Sequence, residues 1–399
     1  MPYLEEGEKM IEFLEVTTDE LPKRLSLRYY PRRVRAKFKK EFETPSRAVI
    51  DTEYNKKANF PNQIPLSDYF SIYVKYFDRE DFESFLNKNG AMKLLYSKLE
   101  EFNKRAVDSY LSILSLRPIK DEWPTLNERQ FETFMRFLDI AQGNLSTRSL
   151  PNLNVTNIDY RTIIEQFVTQ YIENNPIVWL DLNESEQTFR LKIDAIKNFV
   201  KNKQLQLLGF YAGKMDTALN YNVNLDIVYS TFKEMDVLLI YEGSYKSFQN
   251  KIEGVSKLHY HPFEIFDVIS PYKTPAGGNL SKETNLELIK NTKFLDTEKV
   301  LLSKFEIIDR DKIKTYLDSD SNRFLEQIAD KVESGEEIRN EEINAFKSLA
   351  DIQQIVAGES EMLNISRKIK NNETFDYLED KKELETVVKN KLSQSNFFW

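Results

Sequence analysis

Short apolar runs alternate with amphipathic stretches along most of this chain. Arg47–Asp51 (RAVID), Phe70–Phe77 (FSIYVKYF) and Ser112–Pro118 (SILSLRP) combine β-branched, aromatic and leucine residues and read as strands; Leu145–Leu150 is a weaker one. In the second half, Ile177–Asp181 (IVWLD), Leu205–Gly213, Asp236–Gly243 and Phe266–Ser270 repeat the pattern, and Ser256–His261 is a further candidate. The stretches between them have helical spacing. Asp81 to Leu111 is helical with a break near Asn89-Gly90, and Asn127-Glu-Arg-Gln is a helix start followed by Phe131, Phe134, Phe137 and Leu138 on one stripe. Further helices are predicted over 159–174, from Ser185 to about Lys203, and over 224–234.

Repeated βα units imply a parallel sheet, because parallel strands need a crossover helix. Eight or nine candidate strands before residue 275 predict a (β/α)8 barrel, with one weak candidate as decoration. An open doubly wound sheet is the alternative. Its first βα turn is often glycine-rich, and here it is not. After Gly278 the chain becomes charged and mostly helical, with a turn at Ser334-Gly335. The expected organisation is a basic N-terminal extension (1–45), a barrel (46–310) and a C-terminal helical region (311–399).

Composition narrows the function classes. The 399 residues are 41% hydrophobic and 30% charged, as in globular proteins. No run of about twenty apolar residues exists, so no membrane-spanning helix is expected. The acidic start MPYLEEGEKM lacks the apolar core of a secretory signal. Cysteine is absent, which excludes disulfides, thiolate nucleophiles and cysteine zinc sites, and fits a cytoplasmic protein. The net charge is −8, yet Lys23–Lys40 carries nine basic residues and no acid. Arg28, Arg32, Arg33, Arg35, Lys37 and Lys39, interleaved with Tyr29, Tyr30 and Phe38, are candidates for holding phosphates and stacking on bases. A solvated basic arm is the plainer alternative.

Polar groups end several strands: Asp51, Asp181 with Asn183, Gly213 with Lys214, Glu242 with Gly243, and Asp267 with Lys273. In a barrel such ends converge on one mouth, although each alone can be a helix cap or a loop residue. Paired carboxylates suit glycosidic-bond chemistry. His259 and His261 are spaced for a metal on a strand, but no third histidine exists, and no metal or cofactor is expected. Pro275-Ala-Gly-Gly278 would let backbone amides approach a phosphate, or is simply a loop.

Phe266-Asp-Val-Ile-Ser-Pro-Tyr-Lys273 resembles the Phe-Asp-Cys-Val-x-Pro-Thr-Arg nucleophile motif of the tRNA-guanine transglycosylase superfamily, including its DNA-modifying branch. Those enzymes are (β/α)8 barrels that exchange guanine for a 7-deazaguanine base. The resemblance implies Asp267 as the nucleophile on the ribose C1′. It implies Asp181, in Leu180-Asp-Leu-Asn183, as the reader of the base edge, and Gly213 and Glu242-Gly243 as base contacts. Thr44-Pro45 is similar to the family's opening, so the match spans about 44–278. The family's Asp-Ser-Gly-Gly-Phe signature is missing, and Asp51 stands in as acid/base; the zinc cysteines and a PUA-like module are missing too. The lack of tRNA-binding parts favours DNA over tRNA as partner. The leading expectation is therefore base exchange on a flipped-out guanine. A glycoside-acting barrel using Asp181 and Glu242, with Trp179 and Tyr211 stacking on sugar, is the second. A non-catalytic nucleic-acid-binding or assembly protein is the third.

Overall fold

The computed structural model describes residues 10–18, 29–54, 70–87, 89–106, 109, 111–118, 125–212, 218–243, 257–271 and 284–392. The architecture is mixed α/β around a parallel sheet. A first antiparallel sheet holds β1 (Glu12–Thr18), β2 (Arg32–Phe38) and β3 (Lys40–Glu43). Next come β4 (Ser46–Arg47), β5 (Val49–Ile50), β6 (Phe70–Phe77) and β7 (Leu111–Pro118), then the two-residue β8 (Thr125–Leu126), β9 (Arg148–Leu150) and β10 (Asn154–Val155). The second half holds β11 (Pro176–Asp181), β12 (Leu207–Tyr211), β13 (Leu238–Glu242), β14 (Val268–Ser270), β15 (Lys293–Asp296) and β16 (Leu301–Lys304).

Six of these form one sheet in the order β4-β14-β13-β12-β11-β9, and β5-β6-β7 form another; every pairing in both is parallel. Only Ala48 separates β4 from β5, so one short segment edges both sheets. The opposite edges, β7 and β9, are linked through side chains. The Ser112 N–H donates to Ser146 Oγ (2.8 Å), and Thr147 Oγ1 donates to the Ser112 carbonyl (2.8 Å).

Strand alternation sorts the core into two layers. Ala48, Ile50, Phe70, Ile72, Val74, Leu111, Ile113, Ile177, Trp179, Leu207, Tyr211, Leu238, Ile240 and Val268 pack together on one side of the strands. Val34, Ala36, Phe38 and Phe42 of the N-terminal sheet join that cluster. The intervening residues, such as Val178, Leu180, Leu208, Leu239 and Ile269, face the helices. Gly209 makes room for the Trp179 indole, whose Nε1 donates to the Leu114 carbonyl at 3.1 Å; a Cβ on residue 209 would lie 2.3 Å from the ring. Gly209→Ala is therefore expected to lower unfolding free energy by about 1–3 kcal/mol through overpacking. Urea denaturation measures this.

The expected domain borders do not follow the cores. The N-terminal segment shares the inner cluster with the parallel strands. The border at 310 falls inside a smaller core that joins Ile289, Phe294 and Phe305 to Ile313, Leu325, Phe346 and Leu349. The 31-residue helix Asn340–Lys370 runs onward from there, and its Ile352, Ile355, Met362, Ile365 and Ile369 enter the main helix-facing core. Ser256–His261, a candidate strand by its sequence, differs. Its described part is a helical turn, Lys257–Tyr260, followed by a 3-10 turn, His261–Phe263. Among the described residues, no helix is long and apolar enough to cross a membrane.

Candidate active site at the strand ends

The expected site residues separate into two ends of the parallel sheet. Asp181 is the last residue of β11, on the inner side because it continues the parity of Ile177 and Trp179. Glu242 ends β13 with the parity of Leu238 and Ile240. The ladder sets Asp181 opposite Tyr211 and Tyr211 opposite Glu242, so the three form one row. Two ladder spacings put the Asp181 and Glu242 Cα atoms about 10 Å apart.

Arg117, near the end of β7, completes this cluster. Its Nη1 donates to Glu242 Oε1 (2.8 Å) and its Nη2 to the Ala212 carbonyl (3.2 Å). Ser115 Oγ donates to the other Glu242 oxygen. The guanidinium lies 4.4 Å from the Tyr211 ring centroid and 5.9 Å from that of Tyr76. Glu242 is fully buried and Arg117 nearly so. Burial works against the Arg117 charge, but Glu242 together with Tyr76 and Tyr211 outweighs it and raises the Arg117 pKa. Asp181 is buried, and its Oδ1 accepts the Asn183 N–H at 2.9 Å.

The turn after β11 is tied down from behind. Asn224 Nδ2 donates to the carbonyls of Leu182 (2.9 Å) and Glu184 (2.8 Å). Lys192 Nζ donates to Glu184 Oε1 and Asn152 Oδ1, both at 2.6 Å. Ser185 caps the next helix by accepting from the Thr188 N–H. Asp181 thus stands on a strand end with a fixed turn behind it.

Asp267 is elsewhere. It precedes β14 and lies at the sheet's N-terminal end, fully buried. Its Oδ2 accepts from Arg32 Nη1 and from the Leu239 N–H, both at 2.8 Å. Arg32 also donates to the carbonyls of Met235 and Val237, both just before β13, each at 3.1 Å. Burial pushes the Asp267 carboxyl up to about 6 against the opposing pull of Arg32 and the Leu239 N–H. Burial likewise lowers Arg32, with Asp267 and Asp236 opposing. The short contact favours two charges and burial disfavours both; burial prevails. Since β11 and β14 run parallel, Asp181 and Asp267 sit at opposite ends and do not share a cavity.

Asp51 also leaves the row. It begins a short helical segment on the helix-facing side, where its charge, after burial, helps raise the Tyr73 hydroxyl to about 12 together with Glu101. Gly213, Lys273, Arg28 and the 275–278 loop lie outside the described residues.

The basic segment is a strand with two faces. Arg32 points inward and is buried, as are Tyr29 and Phe38. Arg33, Arg35 and Lys37 point outward but meet acids across the sheet. Glu12 and Glu41 flank Lys37, and Glu15 and Glu43 flank Arg35. Arg35 Nε lies 3.5 Å from Glu41, and Arg33 lies 3.8 Å from Glu15. Lys39 is exposed at the β2–β3 turn. The two histidines are structural: His259 Nε2 bonds the Gly358 carbonyl at 3.0 Å and His261 Nδ1 bonds Glu264 at 2.5 Å. Among the described residues, no group of three potential ligands could hold a metal ion.

Arg117 and Ser115 escape a search for terminal carboxylates. The alternation of Leu111, Ile113, Ser115 and Arg117 marks them: two polar residues continue an inward apolar parity toward the strand end. Comparison with family models, curated proteins and solved structures finds no match to this chain.

Proposed function

We propose that the parallel strands close as a (β/α)8 barrel and that its C-terminal mouth binds a sugar- or nucleoside-type ligand and acts on its glycosidic bond. Two seams support closure. The 46–50 segment pairs with β14 on one side and β6 on the other, and the Ser112–Ser146–Thr147 bonds join β7 to the β9 end. Barrel enzymes work from this face.

The observation that carries the reading is the row Asp181–Tyr211–Glu242 with Arg117 beside it. Asp181 is the carboxylate for the reacting bond, stabilising positive charge that develops at the sugar carbon or activating the attacking group. Glu242 has both oxygens engaged by Arg117 and Ser115, so it shapes the pocket rather than shuttling protons. Tyr211 and Tyr76 stand at the same end, with the Arg117 guanidinium over their rings. Exchange of guanine for a 7-deazaguanine base in DNA or tRNA is one reaction of this class. Asp267 is not its nucleophile in this reading.

The test is an activity screen with three substrate sets: labelled guanine with DNA or tRNA, free nucleosides, and aryl glycosides. At least one set is expected to turn over, and Asp181→Asn is expected to reduce kcat about 10²–10⁴-fold. No turnover in any set, or full activity in Asp181→Asn, overturns the reading. Glu242's saturation favours one alternative, a barrel that binds without turnover; it gives saturable binding of the same ligands with no product.

A further inference from the structure

We infer that the acceptors around Glu242 form a receptor for a planar ligand edge with two adjacent N–H donors, and that the Arg117 guanidinium competes with that ligand for it. The inference rests on the mouth being the functional site.

The Glu242 oxygens and the Ala212 carbonyl are acceptors gathered on one flat group. Glu242 Oε1 takes Arg117 Nη1 at 2.8 Å, and Ala212 O takes Nη2 at 3.2 Å. Ser115 Oγ holds the second carboxylate oxygen and fixes the plane of the carboxyl group. Glu242 Oε1 and the Ala212 carbonyl thus accept one each of two parallel N–H donors. The ring faces of Tyr211 and Tyr76 flank the same flat group, as a planar ligand requires. Guanidines, amidines and the 2-amino-oxopyrimidine edge of a purine all present that donor pair. A lysine-type ammonium, a point donor, does not.

Nothing structural requires an arginine here if the pair only closes the barrel end, because buried ion pairs are replaceable by apolar residues of like volume. Competition has a measurable signature. The intramolecular guanidinium reduces the fraction of protein with an open receptor, so the observed affinity of wild type is lowered by that fraction.

Benzamidine and 2-aminopyrimidin-4-one are suitable probes, titrated by calorimetry into wild type, Arg117→Met and the double variant R117M/E242Q, each checked for folding by circular dichroism. R117M is expected to bind at least tenfold more tightly than wild type, and the added E242Q change is expected to abolish binding. R117M that binds no better than wild type, or that keeps its affinity when E242Q is added, overturns the inference. If R117M does not fold, Arg117→Lys keeps the charge and loses the planar fork, and a smaller gain over wild type is expected from it, because the ammonium still pairs with Glu242 as a point donor; no gain overturns the inference. Glu242→Gln alone supplies a second reading, loss of whatever affinity wild type has for the probes; retention contradicts the inference. Lack of glycosidic turnover would remove the proposed reaction and leave this binding result standing, whereas turnover without amidine binding removes only the receptor.

Discussion

Arg32→Met is expected to destabilise the protein by about 3–5 kcal/mol at neutral pH, because it strands a buried carboxylate. Asp267→Leu is expected to cost a similar amount by stranding the guanidinium, which then keeps only the Met235 and Val237 carbonyls. The double variant R32M/D267L should recover most of the loss, since desolvation of two charges no longer opposes folding. The pH dependence carries the same signature. The folded carboxyl of Asp267, at about 6, lies above the ordinary aspartate value, so the native state holds a proton that the unfolded chain has released. Stability from this group is therefore full below about pH 4 and lost as pH rises toward 6. Its span is about 3 kcal/mol at 1.36 kcal/mol per unit. Asp267→Asn should lack this component. Urea melts of wild type and D267N between pH 4 and 7 measure it; identical slopes would place Asp267 in a solvated setting and contradict the buried pair.

A chain ending at residue 310 should fail to fold. Nine residues beyond that point, Ile352, Ile355, Met362, Ile365, Ile369, Tyr377, Leu378, Leu384 and Val388, are buried in the main core. At about 2 kcal/mol for each buried side chain, their loss exceeds the whole net stability of about 5–15 kcal/mol. Polar ties would be cut as well. Gln353 bonds both the N–H and the carbonyl of Leu295, at 2.9 and 2.8 Å, and Gly358 receives His259. Lys381 Nζ donates to the Thr297 carbonyl at 2.6 Å. The 1–310 fragment should show little chemical-shift dispersion by NMR and no cooperative melt. A cooperative transition would show that the last 89 residues are an independent appendage.

Periodicity made the elements legible and left their ends ambiguous. Phe70–Phe77 and Ile177–Asp181 were readable as strands because their apolar runs are bounded by polar and turn residues. The helix starts at Asn127 and Ser185 followed from side chains that do accept from the first-turn N–H groups. The parallel sheet followed from the βα alternation. For Asp267 the deciding feature is position. A residue that precedes its strand in a parallel sheet sits at the N-terminal end, away from the C-terminal strand ends. Asp267 precedes β14, whereas Asp181 and Glu242 end theirs. The basic segment is less bare than its count of charges suggests, for a related reason. Counting charge along Lys23–Lys40 ignores strand alternation, which turns Arg32 inward, and cross-strand pairing, which sets Glu12, Glu15, Glu41 and Glu43 beside Arg35 and Lys37. Those acids are remote or sit just outside the basic run, so only pairing reveals the local balance.

In the proposed function, chemistry belongs to the Asp181 end of the sheet and not to the Asp267 end. Two isosteric variants matched for folded fraction decide between the ends when assayed for one reaction, on whichever glycosidic substrate wild type turns over. Asp181→Asn should lose about 10²-fold or more in kcat, while Asp267→Asn should retain near wild-type turnover per folded molecule. An inactive, fully folded D267N beside an active D181N would contradict the claim.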